Sequence, residues 1–208
     1  MNKPLIMILV AFIGVSAQAL PVRVSLDQDP AAIPGTANWT TYNTGVSSGE
    51  ISYAAYTSAA YVASGGYTPS GGWCKFVYAY EIFNSGRSPQ NISSFVVDVI
   101  ASALPGKIGI DTARGLDNSV LTSSYSFVSD GIYKKAMYSF ANEPLGPEQH
   151  SVVLLYTSDM APGTTTAKIF SGDHYATVSV VAPHVPEPAT MTLLGVGGLA
   201  ALRRKRSA

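Results

Sequence analysis

A single cysteine, Cys74, stands in the 208 residues, so no internal disulfide can staple the chain. Cys74 falls within an alternating run and is expected to be a small buried hydrophobe rather than a reactive thiol. Charge is scarce as well: Asp, Glu, Lys and Arg make up 12% of the residues, against a usual share of about 25%. Between Leu20 and Val185, eight basic residues face twelve acidic ones, a net of −4. No basic stripe exists there to neutralise phosphates, which excludes nucleic acid as a partner. Long apolar runs are missing too. The two that occur, Leu5 to Val15 and Thr190 to Leu202, fall short of the roughly 20 residues that a 30 Å hydrocarbon core requires. The three histidines, His150, His174 and His184, stand far apart, without zinc-ligand spacing. Asp27-Gln28-Asp29 and Asp111 to Asn118 do not supply the six to eight oxygens that calcium takes, so they read as solvated turns. No metal and no cofactor is expected.

What is present is informative at both ends. Lys3, the apolar run Leu5 to Val15 and Ser16-Ala17-Gln18-Ala19 follow the plan of a secretory signal peptide. Ala17 and Ala19 are the small residues of the cleavage site, with the cut after Ala19, so residues 1–19 are read as removed on export. The other end reads VPEPATMTLLGVGGLAALRRKRSA. Pro186 and Pro188 lack an N–H and hold φ near −65°, which keeps the stretch extended and open to an enzyme cleft. After the short apolar run, Arg203, Arg204, Lys205 and Arg206 form a basic stop that stays on the cytoplasmic side. A marginal span between a polar turn and a basic stop reads as a transient membrane tether.

These residues resemble a known signal. Val185-Pro186-Glu187-Pro188-Ala189-Thr190, the run Leu194-Gly195-Val196-Gly197-Gly198-Leu199 and the Arg-Arg-Lys-Arg block are similar to the PEP-CTERM sorting signal of Gram-negative bacteria. The resemblance implies processing by an exosortase, a membrane-embedded cysteine transpeptidase. It also implies delivery to the cell surface or medium of a host that makes exopolysaccharide and biofilm matrix. It covers residues 184–208 and assigns a destination, not an activity.

The body, residues 20–183, is rich in Gly, Ser, Thr and Tyr, and strand patterns recur along it. Arg23 to Gln28, Trp73 to Phe83, Ser94 to Ile100, Tyr125 to Val128, Ile132 to Phe140, Ser151 to Thr157 and Ala176 to Ala182 read as strands. Ser129-Asp130-Gly131 reads as a hairpin turn. In Trp73 to Phe83 the residues Val77, Ala79 and Glu81 alternate with Tyr78, Tyr80 and Ile82. Glu50 to Ser64 fits a strand or a short helix; the missing i, i+3, i+4 stripe favours strand. Amphipathic helices do not intervene. The expected fold is therefore all-β, an antiparallel sandwich of the jelly-roll or immunoglobulin kind, flanked by the signal peptide and a short C-terminal apolar helix. Two internal patterns, Tyr78-x-Tyr80-x-Ile82-x-Asn84-x-Gly86 with Ile92 and Phe95, and Leu145 to Ser151 leading to Tyr156-Thr157-Ser158, are similar to stretches of other PEP-CTERM proteins.

Two catalytic patterns occur by composition. Gly45-Val46-Ser47-Ser48-Gly49 satisfies G-x-S-x-G, with Asp117 or Asp130 and His150 or His174 in the right chain order for a serine hydrolase. The surrounding sequence lacks the βα units that such an elbow needs, so a polar turn is expected and no residue is assigned as catalytic. Gly195 to Ala200 matches a dinucleotide fingerprint, but no strand precedes it and no ribose-binding acid follows. The aromatic content, twelve Tyr and two Trp, admits two readings. Most of these rings pack the core, or some of them (Tyr53, Tyr56, Tyr61, Tyr67 and Trp73) stack on sugar rings. The resulting expectation is an exported, non-enzymatic surface or matrix protein, with a carbohydrate-binding module as the alternative and an exported serine hydrolase as a distant one.

Overall fold

The computed structural model describes residues 26, 32–41, 47–66, 74–100, 105–114, 119–130 and 133–184. Both end segments, and with them the expected cleavage residues Ala17 and Ala19, the expected turn at Val185 to Pro188, the expected C-terminal helix and the Arg203 to Arg206 block, lie outside the described residues.

Among the described residues, ten strands and one short helix follow in order: β1 (Ile33–Thr40), β2 (Ser48–Thr57), α1 (Ser58–Ala63), β3 (Phe76–Asn84), β4 (Ser94–Ile100), β5 (Pro105–Asp111), β6 (Ser124–Asp130), β7 (Tyr133–Ser139), β8 (Val153–Ser158), β9 (Pro162–Ser171) and β10 (His174–Pro183). They form two five-stranded sheets, β1-β2-β3-β8-β5 and β10-β9-β4-β7-β6. Neighbouring strands in both sheets run antiparallel.

The alternation of β3 explains how the first sheet is buried on both faces. Tyr78, Tyr80 and Ile82 point into the main core, where they join Ile51 and Tyr156 of their own sheet and Phe95, Val97, Tyr138, Ile169 and Val178 of the other. Val77 and Ala79 point outward into a second cluster with Tyr56, Tyr61, Leu155 and Leu26. Fully burying one such side chain contributes about 1.5–3 kcal/mol, so the two clusters account for why a chain without a disulfide folds.

The Glu50 to Ser64 segment is both structures in succession, strand β2 and then α1. Thr57 caps the helix by accepting a hydrogen bond from the Ala60 N–H at 3.2 Å, and Ser58 Oγ donates to the Cys74 carbonyl. Tyr61 is the helix's buried residue and fastens it to the outer face of β2 and β3. The β9–β10 hairpin turns at Gly172, whose φ of 58° suits glycine.

Two expectations need correction. Cys74 is not mid-strand and not fully buried: it precedes β3 and is half-exposed, its sulfur packed against Gly106. Of the expected strand Arg23 to Gln28, only Leu26 is described, and it is a buried residue in a 3₁₀ turn. β1, β5 and β9 were not anticipated.

Candidate functional site

The two internal sequence patterns come together at the end of β3. Asn84 lies buried there, and its side-chain amide donates to the carbonyls of Leu145 (2.9 Å) and Gln90 (3.1 Å). Ile92 and Leu145 exchange backbone hydrogen bonds at 2.9 and 3.0 Å. Ser151 Oγ accepts the Ile82 N–H at 3.0 Å, and the Ser151 N–H bonds the Ile82 carbonyl at 2.9 Å. The 145–151 segment thus acts as an irregular extension of β8 laid along β3, and both patterns are devices of folding.

Further along the same strands the tyrosines form a hydroxyl chain. Tyr80 donates to the Val181 carbonyl at 2.5 Å and lies 3.1 Å from the Tyr156 hydroxyl. Tyr80 has one proton and gives it to Val181, so Tyr156 is the donor between the two rings. Tyr78 donates to the Met160 carbonyl at 2.7 Å and stacks on Tyr156 with centroids 5.3 Å apart. Burial pushes the hydroxyls of Tyr78, Tyr80, Tyr138 and Tyr156 well above the usual tyrosine value.

The five aromatic residues singled out as sugar platforms fare differently. Tyr56 and Tyr61 are buried, 1% and 0% exposed, and present no ring to a sugar. Their rings meet edge to face at 5.0 Å, with the Arg114 guanidinium 5.3 and 5.0 Å from the two centroids. Tyr61 donates to Asp111 Oδ2 at 2.9 Å, while Asp111 Oδ1 takes the N–H groups of Ala113 and Arg114. Burial first, and the Asp111 carboxylate second, push the Tyr61 hydroxyl up. Asp111, read as a turn residue, is thus a buried anchor for the helix. Tyr67 and Trp73 lie outside the described residues. Tyr53 keeps a half-exposed ring. It lies across Gly35 of β1, where a Cβ would come within 2.4 Å of Tyr53 Cε2. Tyr53 walls a cleft of about 340 Å³ between the two sheets, lined also by Ile33, Pro34, Pro162, Thr164 and Val180. Sequence reasoning did not find this cleft, because its two halves lie over 100 residues apart. Tyr175, an exposed ring beside Phe170 and under the Lys168 ammonium, was also missed.

Ser47 is 1% exposed at the start of the β2 hairpin arm, not on a strand-to-helix turn. Its hydroxyl donates to Ser171 Oγ at 3.2 Å, since Ser171 spends its own proton on the Asn91 carbonyl. His150 instead stacks on Phe83 at 4.5 Å, and Asp130 pairs with Lys135 at the β6–β7 turn. Asp117 lies outside the described residues, as do Asp27 and Asp29. Burial holds the His150 imidazole below its usual value, with the nearby Glu50 opposing. Among the described residues, no three of His, Cys, Asp and Glu are grouped to hold a metal ion.

No curated protein and no solved structure matched the chain. A family model, the PEP-CTERM protein-sorting motif, matches residues 184–206, starting at the last described residue, His184, directly after β10. The chain therefore carries a PEP-CTERM sorting motif, which marks it as an exported protein processed at the membrane by an exosortase.

Proposed function

We propose that the folded part, residues 20–183, is a non-enzymatic β-sandwich delivered to the cell surface or extracellular matrix of a Gram-negative bacterium, in association with its exopolysaccharide. Signal-peptide cleavage after Ala19 and exosortase cleavage near Val185 to Pro188 release it, with the 190–202 segment as a transient membrane helix and Arg203 to Arg206 as its stop. The order β2-β3-β8-β5 opposite β4-β9-β10 corresponds to strands A-B-E-D opposite C-F-G of a constant-type immunoglobulin domain, which favours that class over a jelly roll. On this reading β1 and the β6–β7 hairpin are additions at the sheet edges. The observation that carries the structural role is the placement of the tyrosines: Tyr56, Tyr61, Tyr78, Tyr80, Tyr138 and Tyr156 are all fully buried, so they build the core rather than a recognition surface. The test is the intact mass of the protein recovered from the surface and medium of its host. A mass lacking both ends is expected. Retention of the tail after Thr190 would make it a lasting anchor and sink the reading.

A second reading, a module that binds a neutral sugar of the exopolysaccharide, is favoured by the Tyr53 cleft. An aromatic wall, two prolines and the Thr164 hydroxyl, with no charged side chain among the lining residues, suit the apolar face and hydroxyl rim of a pyranose. Titration with the host's purified polysaccharide, using the wild type and Tyr53→Ala, tests it. Equal heats for both proteins would refute the cleft as the site.

A further inference from the structure

The second sheet ends at β6, which pairs with β7 and with no other described strand. Six of its seven residues are exposed. Tyr125 and Val128 are 43% and 40% exposed, and Leu121, just ahead of the strand, is 48% exposed. Three of the six exposed large hydrophobics found among the described residues thus gather within eight positions. The other edge strands are blunted. β1 contains Pro34 and packs beside β10; β5 opens on Pro105 and shifts register before Ile108; β10 ends on Pro183. Such features are what keep sheet edges from pairing with other chains. β6, reading SYSFVSD, has no proline, no glycine, no basic residue and no register shift.

We propose that β6 is the surface through which two copies of this chain join, antiparallel and edge to edge, into one continuous ten-stranded sheet. The strand is its own complement about Phe127. A two-fold axis there sets Tyr125 of each copy opposite Ser129 of the other, Val128 opposite Ser126, and Asp130 opposite Ser124. Each large exposed side chain meets a small one, and the strand's single charge meets a hydroxyl. Parallel docking would instead stack the two Asp130 carboxylates, and like charges directly opposite are destabilising. Within each copy Lys135 already pairs with Asp130, so the edge brings no net charge to the interface. A C2 contact of this kind closes on itself, which gives a dimer rather than a fibre.

The test is sedimentation of the exported protein, as its host processes it, over a wide concentration range, beside Val128→Lys and Tyr125→Lys. Val128 lies on the face opposite to Phe127 and the core, so its lysine leaves the monomer's core untouched and is the decisive variant. Tyr125→Lys, across from the buried Tyr138, is read beside its own thermal unfolding. Each lysine appears twice in the dimer. A concentration-dependent dimer is expected for the wild type, with each lysine raising the dissociation constant about tenfold or more, a loss of about 1.4 kcal/mol. Hydrogen exchange supplies the second readout, independent of the variants: the β6 amides gain protection as concentration rises. A wild type that stays monomeric overturns the proposal, and so does a dimer whose β6 amides exchange as fast as in the monomer. A dimer indifferent to both lysines overturns it equally.

Discussion

Tyr80 has one hydroxyl proton and two neighbours placed to receive it. The 2.5 Å approach to the Val181 carbonyl settles the direction, and Tyr156 then donates to Tyr80. The assignment has a mutational consequence. Tyr80→Phe strips Val181 of a side-chain donor and Tyr156 of its acceptor, both inside the core, and is expected to cost about 2–3 kcal/mol in urea unfolding. Tyr156→Phe removes a donor while leaving the Tyr80–Val181 bond intact, so it is expected to cost less, about 1 kcal/mol. The reverse ranking would show that the proton lies the other way. His150 makes a separate pH prediction. Its folded-state value is depressed by burial, so its contribution to stability is complete above the unfolded histidine value of about 6.5 and is lost as pH falls through the folded value. Melting temperature should therefore drop between pH 7 and 5, and His150→Gln should flatten part of that slope. An unchanged slope would mean that other groups cause it.

At the scale of elements, the readable strands are those that are rich in β-branched and aromatic residues and free of proline and glycine. β4, rich in β-branched residues, was placed to the residue; Ser129-Asp130-Gly131 signalled the β6–β7 hairpin but not its turn, since Ser129 and Asp130 are still in β6, paired with Lys134 and Tyr133. β1 and β5 escaped because Pro34, Gly35, Pro105, Gly106 and Gly109 are turn residues by propensity, and only the edge position makes them tolerable in a sheet. β9 begins PGTTT and escaped for the same reason at its start. The switch from β2 to α1 was ambiguous because Ala-rich sequence supports both states, and tertiary contacts decide: Tyr61 inserts against Tyr56, and Thr57 caps the turn. The cap carries a prediction. Thr57→Ala removes the acceptor for the Ala60 N–H and should cost about 1 kcal/mol. A six-residue helix has little stability of its own, so hydrogen exchange in Ser58–Ala63 should accelerate more than in β3. Equal acceleration in both would mean the helix unfolds only with the whole domain. Of the candidate site, the tail was legible because its chemistry is local. The Tyr53 cleft was not, because it exists only once β1, β2, β9 and β10 have been brought together.

The buried tyrosines act on the molecule as a whole. Tyr61, Tyr78, Tyr80, Tyr138 and Tyr156 all have hydroxyls pushed above the ordinary value, and burial is the largest cause in each. A raised folded-state value means that stability is intact below the unfolded tyrosine value of about 10 and declines as pH rises above it, because the unfolded chain releases protons that the folded one retains. Each such group adds a slope of about 1.4 kcal/mol per pH unit, so three of them would remove roughly 8 kcal/mol over two units, comparable with the whole stability of an ordinary domain. The protein is therefore expected to tolerate pH 9 and to unfold steeply between about 11 and 12. Tyrosinate absorbance read alongside circular dichroism distinguishes this from gradual titration. The buried set should ionise together, in one step that coincides with loss of the β signal. Smooth ionisation of every tyrosine while the sheets persist would mean that the hydroxyls reach water in the folded state, and the core of stacked and bonded rings between β3, β8 and β10 would have to be abandoned.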